Sequence, residues 1–244
     1  MQWYLGPEGD QRIWYEPTEI ARIAEDELRR ASLMPTPSSP VTDLERFIEV
    51  HLKAALDQYA DLPDGVLGVT QFAAGRPPMV SINGKLTESV EVEDENQGLL
   101  GRWRATLAHE ASHVLFHRYL FEPEMAQLVA GSRAPDGSAL QRAGAVRCLH
   151  RDVAPTSTTE WKAVRRRSDW KEVQANRGMA ALLMPERVFT RVAYRQASQA
   201  SDNRTAFAAR STLLASAMAR IFNVSKQAAE IRLNELGVTP TASD

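Results

Sequence analysis

The run Leu99-Leu-Gly-Arg-Trp-Arg-Ala-Thr-Leu-Ala-His-Glu-Ala-Ser-His-Val-Leu-Phe-His117 restricts this chain more than any other stretch. No proline interrupts it, and Leu99, Trp103, Thr106, Leu107, Val114 and Leu115 recur at helical spacing, which predicts a helix. On that helix His109 and His113 share one face, a turn apart and separated by roughly 6 Å of rise, so both imidazoles can reach one cation. Glu110 stands a step round from His109. It is placed to take a proton from water activated by a metal rather than to bind the metal itself. The same five-residue pattern also occurs in core helices that carry two histidines on a polar edge, so the surrounding sequence has to decide.

A catalytic zinc site usually has three protein ligands and one open position. The run Ser168-Asp-Trp-Lys-Glu-Val-Gln-Ala-Asn-Arg-Gly-Met-Ala-Ala-Leu-Leu-Met-Pro185 predicts a second helix, stopped at Met184-Pro185. Glu172, Asn176, Met179 and Leu183 fall on one of its faces, and Glu172 is the candidate third ligand. Asp169 and Glu172 also have the spacing of a capping box, in which Glu172 would only reach back to the helix start. His150, close to Cys148, is the rival ligand. His117 lies roughly 12 Å of rise from His109, too far along a continuous helix to join the same coordination sphere. It is left to stand behind the ligands, to touch substrate, or simply to pack. Asn176 and Asn83 are further candidates for a place behind the ligands or against a substrate.

Composition narrows the class of protein. With 43% hydrophobic and 25% charged residues, the 244-residue chain belongs with ordinary globular proteins. A formal net charge of -2 gives no electrostatic case for nucleic acid or an anionic membrane as main partner. One cysteine excludes an intramolecular disulfide and fits a cytoplasmic location. No leader-like start and no run of about 20 apolar residues is read in the sequence, so no membrane association is expected.

In chain order, Gln2–Leu5 and Arg12–Tyr15 flank a turn-rich stretch and predict a hairpin or extended arm, followed by a helix from Pro17 to about Ala31. The proline-rich Met34–Pro40 reads as a connector, making residues 1–40 an appendage. Thr42-Asp-Leu-Glu45 reads as a capping box opening a helix with Leu44, Phe47, Ile48, Leu52 and Ala55 on one face, and His51 at its margin. Gly65–Phe72 and Met79–Asn83 read as strands, Glu88–Asn96 as an acidic loop, Glu122–Ala130 as a short helix, and Gly131–Ser138 as a loop. The stretch on to Arg167 shows no clear period. Pro185 opens a helix to about Gln199, and Ser201–Asn203 leads into a final pair. Leu213–Gly237 has the form of a helix-turn-helix, with the turn at Phe222–Val224 and Ser225 as N-cap. In its second helix Lys226 and Arg232 are balanced by Glu230 and Glu235. The reading is therefore a core-building pair, with nucleic-acid contact unlikely but possible there.

The two motif-bearing stretches resemble the ImmA/IrrE family of zinc metallopeptidases. Arg104–His117 looks like that family's helix with paired histidines, and Glu172-Val-Gln-Ala-Asn-Arg-Gly-Met-Ala-Ala-Leu-Leu-Met-Pro185 looks like its Glu-x-Glu/Gln-Ala-Asn-x-Phe-Ala-Ala-x-Leu-Leu-Met-Pro block. The resemblance implies His109, His113 and Glu172 as Zn²⁺ ligands and Glu110 as general base. The sequence departs from the pattern at Ala111-Ser112, where Leu-Gly is usual, and at Gly178-Met179, where Phe-Ala is usual. It also implies an α+β fold: a mostly helical zincin-like metallopeptidase core over residues 41–185 with a small β-sheet, and a helix-turn-helix-like region over 186–244. It places Met79–Asn83 as the edge strand, open to pairing with an extended substrate. The expected function is a zinc endopeptidase that cleaves a protein substrate such as a transcriptional repressor of a mobile element. The alternative is a metal-binding transcriptional regulator that acts on DNA or on a repressor without proteolysis.

Overall fold

The computed structural model describes residues 2–5, 11–73, 75–93, 95–121, 144–149, 170–199 and 207–238, which form a mixed α+β fold. Strands β1 (Gln2–Leu5) and β2 (Gln11–Trp14) make the expected antiparallel hairpin. Helix α1 (Pro17–Arg30) follows, with proline in its first turn and a capping box between Glu16 and Glu19. Ile13, Trp14, Tyr15 and Ile20 are buried against Phe116, Tyr119, Trp170 and Val173, while Ala24 and Leu28 on α1 reach the main core. Residues 11–30 are thus packed against the two motif-bearing helices.

The helix expected from Thr42 through Ala55 is much shorter. Helix α2 is one turn (Leu44–Arg46) that runs into a π-helical turn at Phe47–His51. Its N-cap is Asp43, whose side chain accepts from the Arg46 N–H, while the Thr42 hydroxyl donates to the Leu182 carbonyl, 2.7 Å away. Lys53 turns the chain with φ 54, and Ala55–Ala60 becomes strand β3. Pairing with a strand more than twenty residues downstream removes Ala55 from the helix, and local spacing does not register such pairing. His51 sits at the margin as expected, stacked on Phe47 and 2.7 Å from a Glu27 carboxylate oxygen.

Strands β4 (Val66–Phe72) and β5 (Met79–Asn83) form as expected and pair antiparallel. The sheet order is β3-β5-β4-β6, with β6 at Gly144–Leu149, a strand the sequence reading missed. The edge-strand expectation for Met79–Asn83 is therefore wrong. β5 is interior, parallel to β3 on one side and antiparallel to β4 on the other, so its backbone groups are committed to the sheet. Among the described residues the outer strands are β3 and β6. The acidic stretch is also only partly loop, because α3 (Gly84–Val92) takes up its first residues. Glu122–Ala130, Gly131–Ser138, His150 and Ser201–Asn203 lie outside the described residues.

Helix α4 (Gln97–His117) packs on the sheet, and α5 (Trp170–Leu183) packs along α4. Val80 and Ile82 of β5 join Leu107, Ala108 and Ala111 of α4 and Leu182 and Leu183 of α5 in one core. Helices α6 (Glu186–Gln199), α7 (Phe207–Phe222) and α8 (Lys226–Glu235) complete the fold. The α7–α8 pair has the expected turn, and the Ser225 side chain caps α8 by accepting from the Ala228 N–H. That turn lies on the α4 backbone: a Cβ at Gly101 would stand 2.7 Å from the Ser225 nitrogen. Among the described residues no helix is long and apolar enough to cross a membrane.

Candidate metal centre

Because α4 is wedged between the sheet and α5, its histidine face is buried. His109, Glu110, His113 and His117 are all fully buried. Glu172, in the first turn of α5, turns its carboxylate onto the two histidines rather than leaving it to water. His109 Nε2 lies 3.0 Å from His113 Nε2 and 3.1 Å from Glu172 Oε2, and His113 Nε2 lies 3.4 Å from the same oxygen. Metal bonds of about 2.0–2.1 Å set neighbouring corners of a tetrahedron roughly 3.3–3.4 Å apart. The three donor atoms form a triangle of nearly that size, and this buried group could hold a metal ion. Two imidazole nitrogens and a carboxylate oxygen converging without bulk water between them make little sense for neutral packing, since two facing ring nitrogens need a proton or a cation between them.

The remaining ring nitrogens are used to aim the donors. With Nε2 turned inward, His109 donates its Nδ1–H to Asn176 Oδ1 at 3.2 Å, one turn along α5 from Glu172. His113 Nδ1 lies 3.0 Å from His117 Nδ1, and His117 Nε2 lies 3.2 Å from Gln174 Oε1. Once His113 keeps Nε2 for a cation, the order follows: His113 Nδ1–H donates to His117, His117 Nε2–H donates to Gln174, and the Gln174 amide donates to the Ile13 carbonyl at 3.1 Å. The chain of bonds ends on the strand β2 backbone, whose Ile13 N–H donates to the Tyr119 hydroxyl. His117 also meets the Trp170 ring edge to face, and Arg12 lies over that ring.

The electrostatics fit the geometry. Burial pushes His113 down to about 4, against the pull of Glu172, and holds His117 well below the ordinary imidazole value. For His109 burial acts in the same direction but is outweighed by Glu172, Glu110 and Asn176, so its value is raised. Glu172 is raised by burial and lowered more strongly by its bonds to the two histidines, ending below the usual carboxylate range.

Glu110, close enough to His109 to raise its pKa, reaches the seam between α4 and β4. Its Oε2 accepts a short hydrogen bond from the Thr70 hydroxyl. Gly68, two residues earlier on the same face of β4, has no room for a side chain, because a Cβ there would lie 2.8 Å from Glu110 Oε1 and 2.9 Å from Thr106 Cγ2.

The structure brings His109, His113 and Glu172 together, with Asn176 and His117 behind them. Asn83 is elsewhere engaged: its Oδ1 caps α3 at Lys85, and its amide donates to the Val66 carbonyl at 2.9 Å. Cys148 is placed by backbone register opposite Gly68. The sequence reading missed Thr70, Gly68 and Gln174. Gln174 was visible as an amide two residues past Glu172 in the same block, whereas nothing local marked Thr70. Comparison of the chain with protein-family models, with curated proteins and with solved structures finds no match.

Proposed function

We propose that this chain is a zinc-dependent endopeptidase acting on a regulatory protein, such as the helix-turn-helix repressor of a mobile element. The observation that carries the reading is the convergence of His109 Nε2, His113 Nε2 and Glu172 Oε2 within 3.0–3.4 Å, with a buried glutamate next in sequence to the first ligand. Only three protein donors converge among the described residues, which suits a site that keeps a position for substrate or water. Zinc held there would polarise a peptide carbonyl and acidify water. Glu110 is the proton acceptor, its carboxylate fixed by Thr70 and given space by Gly68. Backbone pairing with an extended substrate belongs in this reading to β6, the outer strand next to β4. The repressor as substrate rests on the resemblance of Arg104–His117 and Glu172–Pro185 to the ImmA/IrrE metallopeptidases.

The C-terminal pair supports a structural role better than DNA reading. Arg232, one of its two cations in α8, is buried and donates to the Met184 carbonyl at 3.1 and 3.2 Å. A residue spent in this way cannot contact a base edge.

Glu110→Gln tests the reading, because the amide is nearly isosteric and is not among the ligands. The variant is expected to fold and hold zinc as wild type does while cleavage falls on the order of 10²–10⁴-fold. Wild type or variant is expressed beside a candidate repressor, and repressor length and promoter output are followed. Shortening with wild type alone supports the peptidase. Derepression that survives in Glu110→Gln with the repressor uncut overturns it in favour of a regulator that does not cut.

A further inference from the structure

Helix α6 has two sharply different faces. Val188, Phe189, Val192 and Ala193 are buried in the core. Arg187, Arg191, Tyr194 and Arg195 are exposed and fall within about 100° of arc on the other side. Among the described residues none of the three arginine side chains has an ion pair or a hydrogen bond. By contrast the exposed arginines of α1, Arg22, Arg29 and Arg30, are all matched by Glu25, Asp26 or Glu27. Like charges four residues apart on a helix repel one another, so the α6 row works against the stability of the free chain.

The same face forms one wall of a groove of about 630 Å³, and Pro37, in the turn between Thr36 and Ser39, forms the other. Arg187, Thr190, Arg191 and Tyr194 line it. Its one carboxylate is Glu186, about 100° round the helix from Arg187. Tyr194 is 59% exposed; the similarly exposed Tyr59 gives its hydroxyl to Glu91, whereas Tyr194 makes no hydrogen bond among the described residues. The formal net charge of -2 conceals this local excess of cations, because exposed carboxylates such as Glu88, Glu91 and Glu93 are gathered on and just after α3.

We propose that this face of α6 binds a single-stranded nucleic acid through its phosphates, with Tyr194 as the platform for a base. The proposal stands on α6 and is independent of the reading of the metal centre. All three cations are arginines, whose planar pairs of N–H donors match phosphate oxygens. Each four-residue step is about 6 Å of rise, which lets successive phosphates of an extended strand meet successive arginines. A cationic groove with an aromatic ring set among the charges holds single strands without regard to sequence. An anionic membrane fits this face less well, since the apolar side chains of α6 that would enter it are committed to the core.

The test is fluorescence anisotropy of a labelled oligothymidylate titrated with the full chain. Binding is expected at low salt with a Kd on the order of 10⁻⁵ M, and log K should fall with log salt at a slope of about -2, as for about three phosphates of a single strand. Arg187→Gln and Arg191→Gln should each weaken binding and make the slope shallower by about 0.7. Tyr194→Ala should weaken it about fivefold or more at an unchanged slope, and Tyr194→Phe should restore it. Lys85→Ala, which removes an equal charge from α3, should bind as wild type does. The substituted side chains are exposed, so these variants are expected to fold, which circular dichroism verifies. No binding at low salt overturns the proposal, as does binding that the arginine substitutions leave unchanged. A duplex of the same length that binds as tightly and loses nothing in Tyr194→Ala overturns the single-strand assignment. Poly-glutamate that binds as tightly as the oligonucleotide overturns it in favour of an acidic protein segment.

Discussion

The two sides of the metal centre are built from the same two helices and could hardly differ more. Behind the ligands lie His117, Gln174 and Trp170, all buried, with the polar atoms joined in one directed chain of hydrogen bonds that ends on β2. On the other side lie the half-buried Asn176, which accepts from His109 Nδ1–H, and then a row of alanines facing a cleft. One side is filled with bonded polar groups and the other is left open. A helix pair can do both because its i, i+4 rows are independent: large polar residues fill one end and small ones leave the other unfilled.

The rear side can be broken at His117. His117→Phe keeps the volume but leaves the His113 Nδ1–H without an acceptor. Zinc affinity, measured against a chelator, should fall about 10–100-fold. His117→Asn returns an acceptor near the lost Nδ1 and should recover part of that loss. A role in packing alone predicts the opposite order, with the Phe variant closer to wild type. Nitrogen-proton correlation spectra of the wild-type chain give an independent check, with His117 protonated at Nε2 and not at Nδ1.

A smaller effect probes how tightly α4 and α5 meet behind the ligands. A Cβ at Gly178 would lie 2.5 Å from Ser112 Oγ and 2.7 Å from a Phe116 ring carbon. The two departures from the ImmA/IrrE pattern thus touch one another: where that pattern has glycine on the first helix and phenylalanine on the second, this chain has serine and glycine. Gly178→Ala should destabilise by about 1–3 kcal/mol through overpacking, despite alanine's better helix propensity. Adding Ser112→Gly should return part of that loss, as a urea-denaturation cycle would measure. Simple additivity of the two changes would show that the sites do not share the space.

The smallest expected effect is the pH dependence of the metal-free chain, because three histidines with opposing shifts partly cancel. His113, lowered to about 4, and His117, also lowered, take up protons more readily in the unfolded chain. The stability they contribute is complete above about pH 6.5 and is lost as pH falls towards 4. His109 is raised, so its contribution is present below about 6.5 and is lost as pH rises through its folded value. Two groups against one leave a net fall in the urea midpoint between pH 6.5 and 4. His117→Phe should make that fall shallower.

Much of the site was legible because its ligands obey local rules. Four-residue spacing brings His109 and His113 together on any helix, and Glu172 stood out as a carboxylate on a helix otherwise made of small packing residues. Thr70 was not legible: it meets Glu110 across forty residues of sequence, and a threonine in a strand ordinarily means only strand propensity. The fold divides in the same way. β4 and β5 were readable from their apolar runs, whereas Ala55-Leu-Asp-Gln-Tyr-Ala60 carries a weak pattern and is a strand because β5 lies beside it.

By itself, then, the sequence determined α1, α4, α5 and α6, the hairpin, the helix-turn-helix form and the row on which the candidate metal donors lie. Each of these follows from periodicity and capping within a few residues. Tertiary structure alone decided which strand is interior and which is outer, that Glu110 rests against Thr70, that His117 is tied through Gln174 to Ile13, and that α8 is held off α4 and α5 to leave a cleft. Those outcomes depend on backbone groups and volumes brought together from distant parts of the chain, where a hydrogen bond or a missing methyl group has no signature in the neighbouring residues.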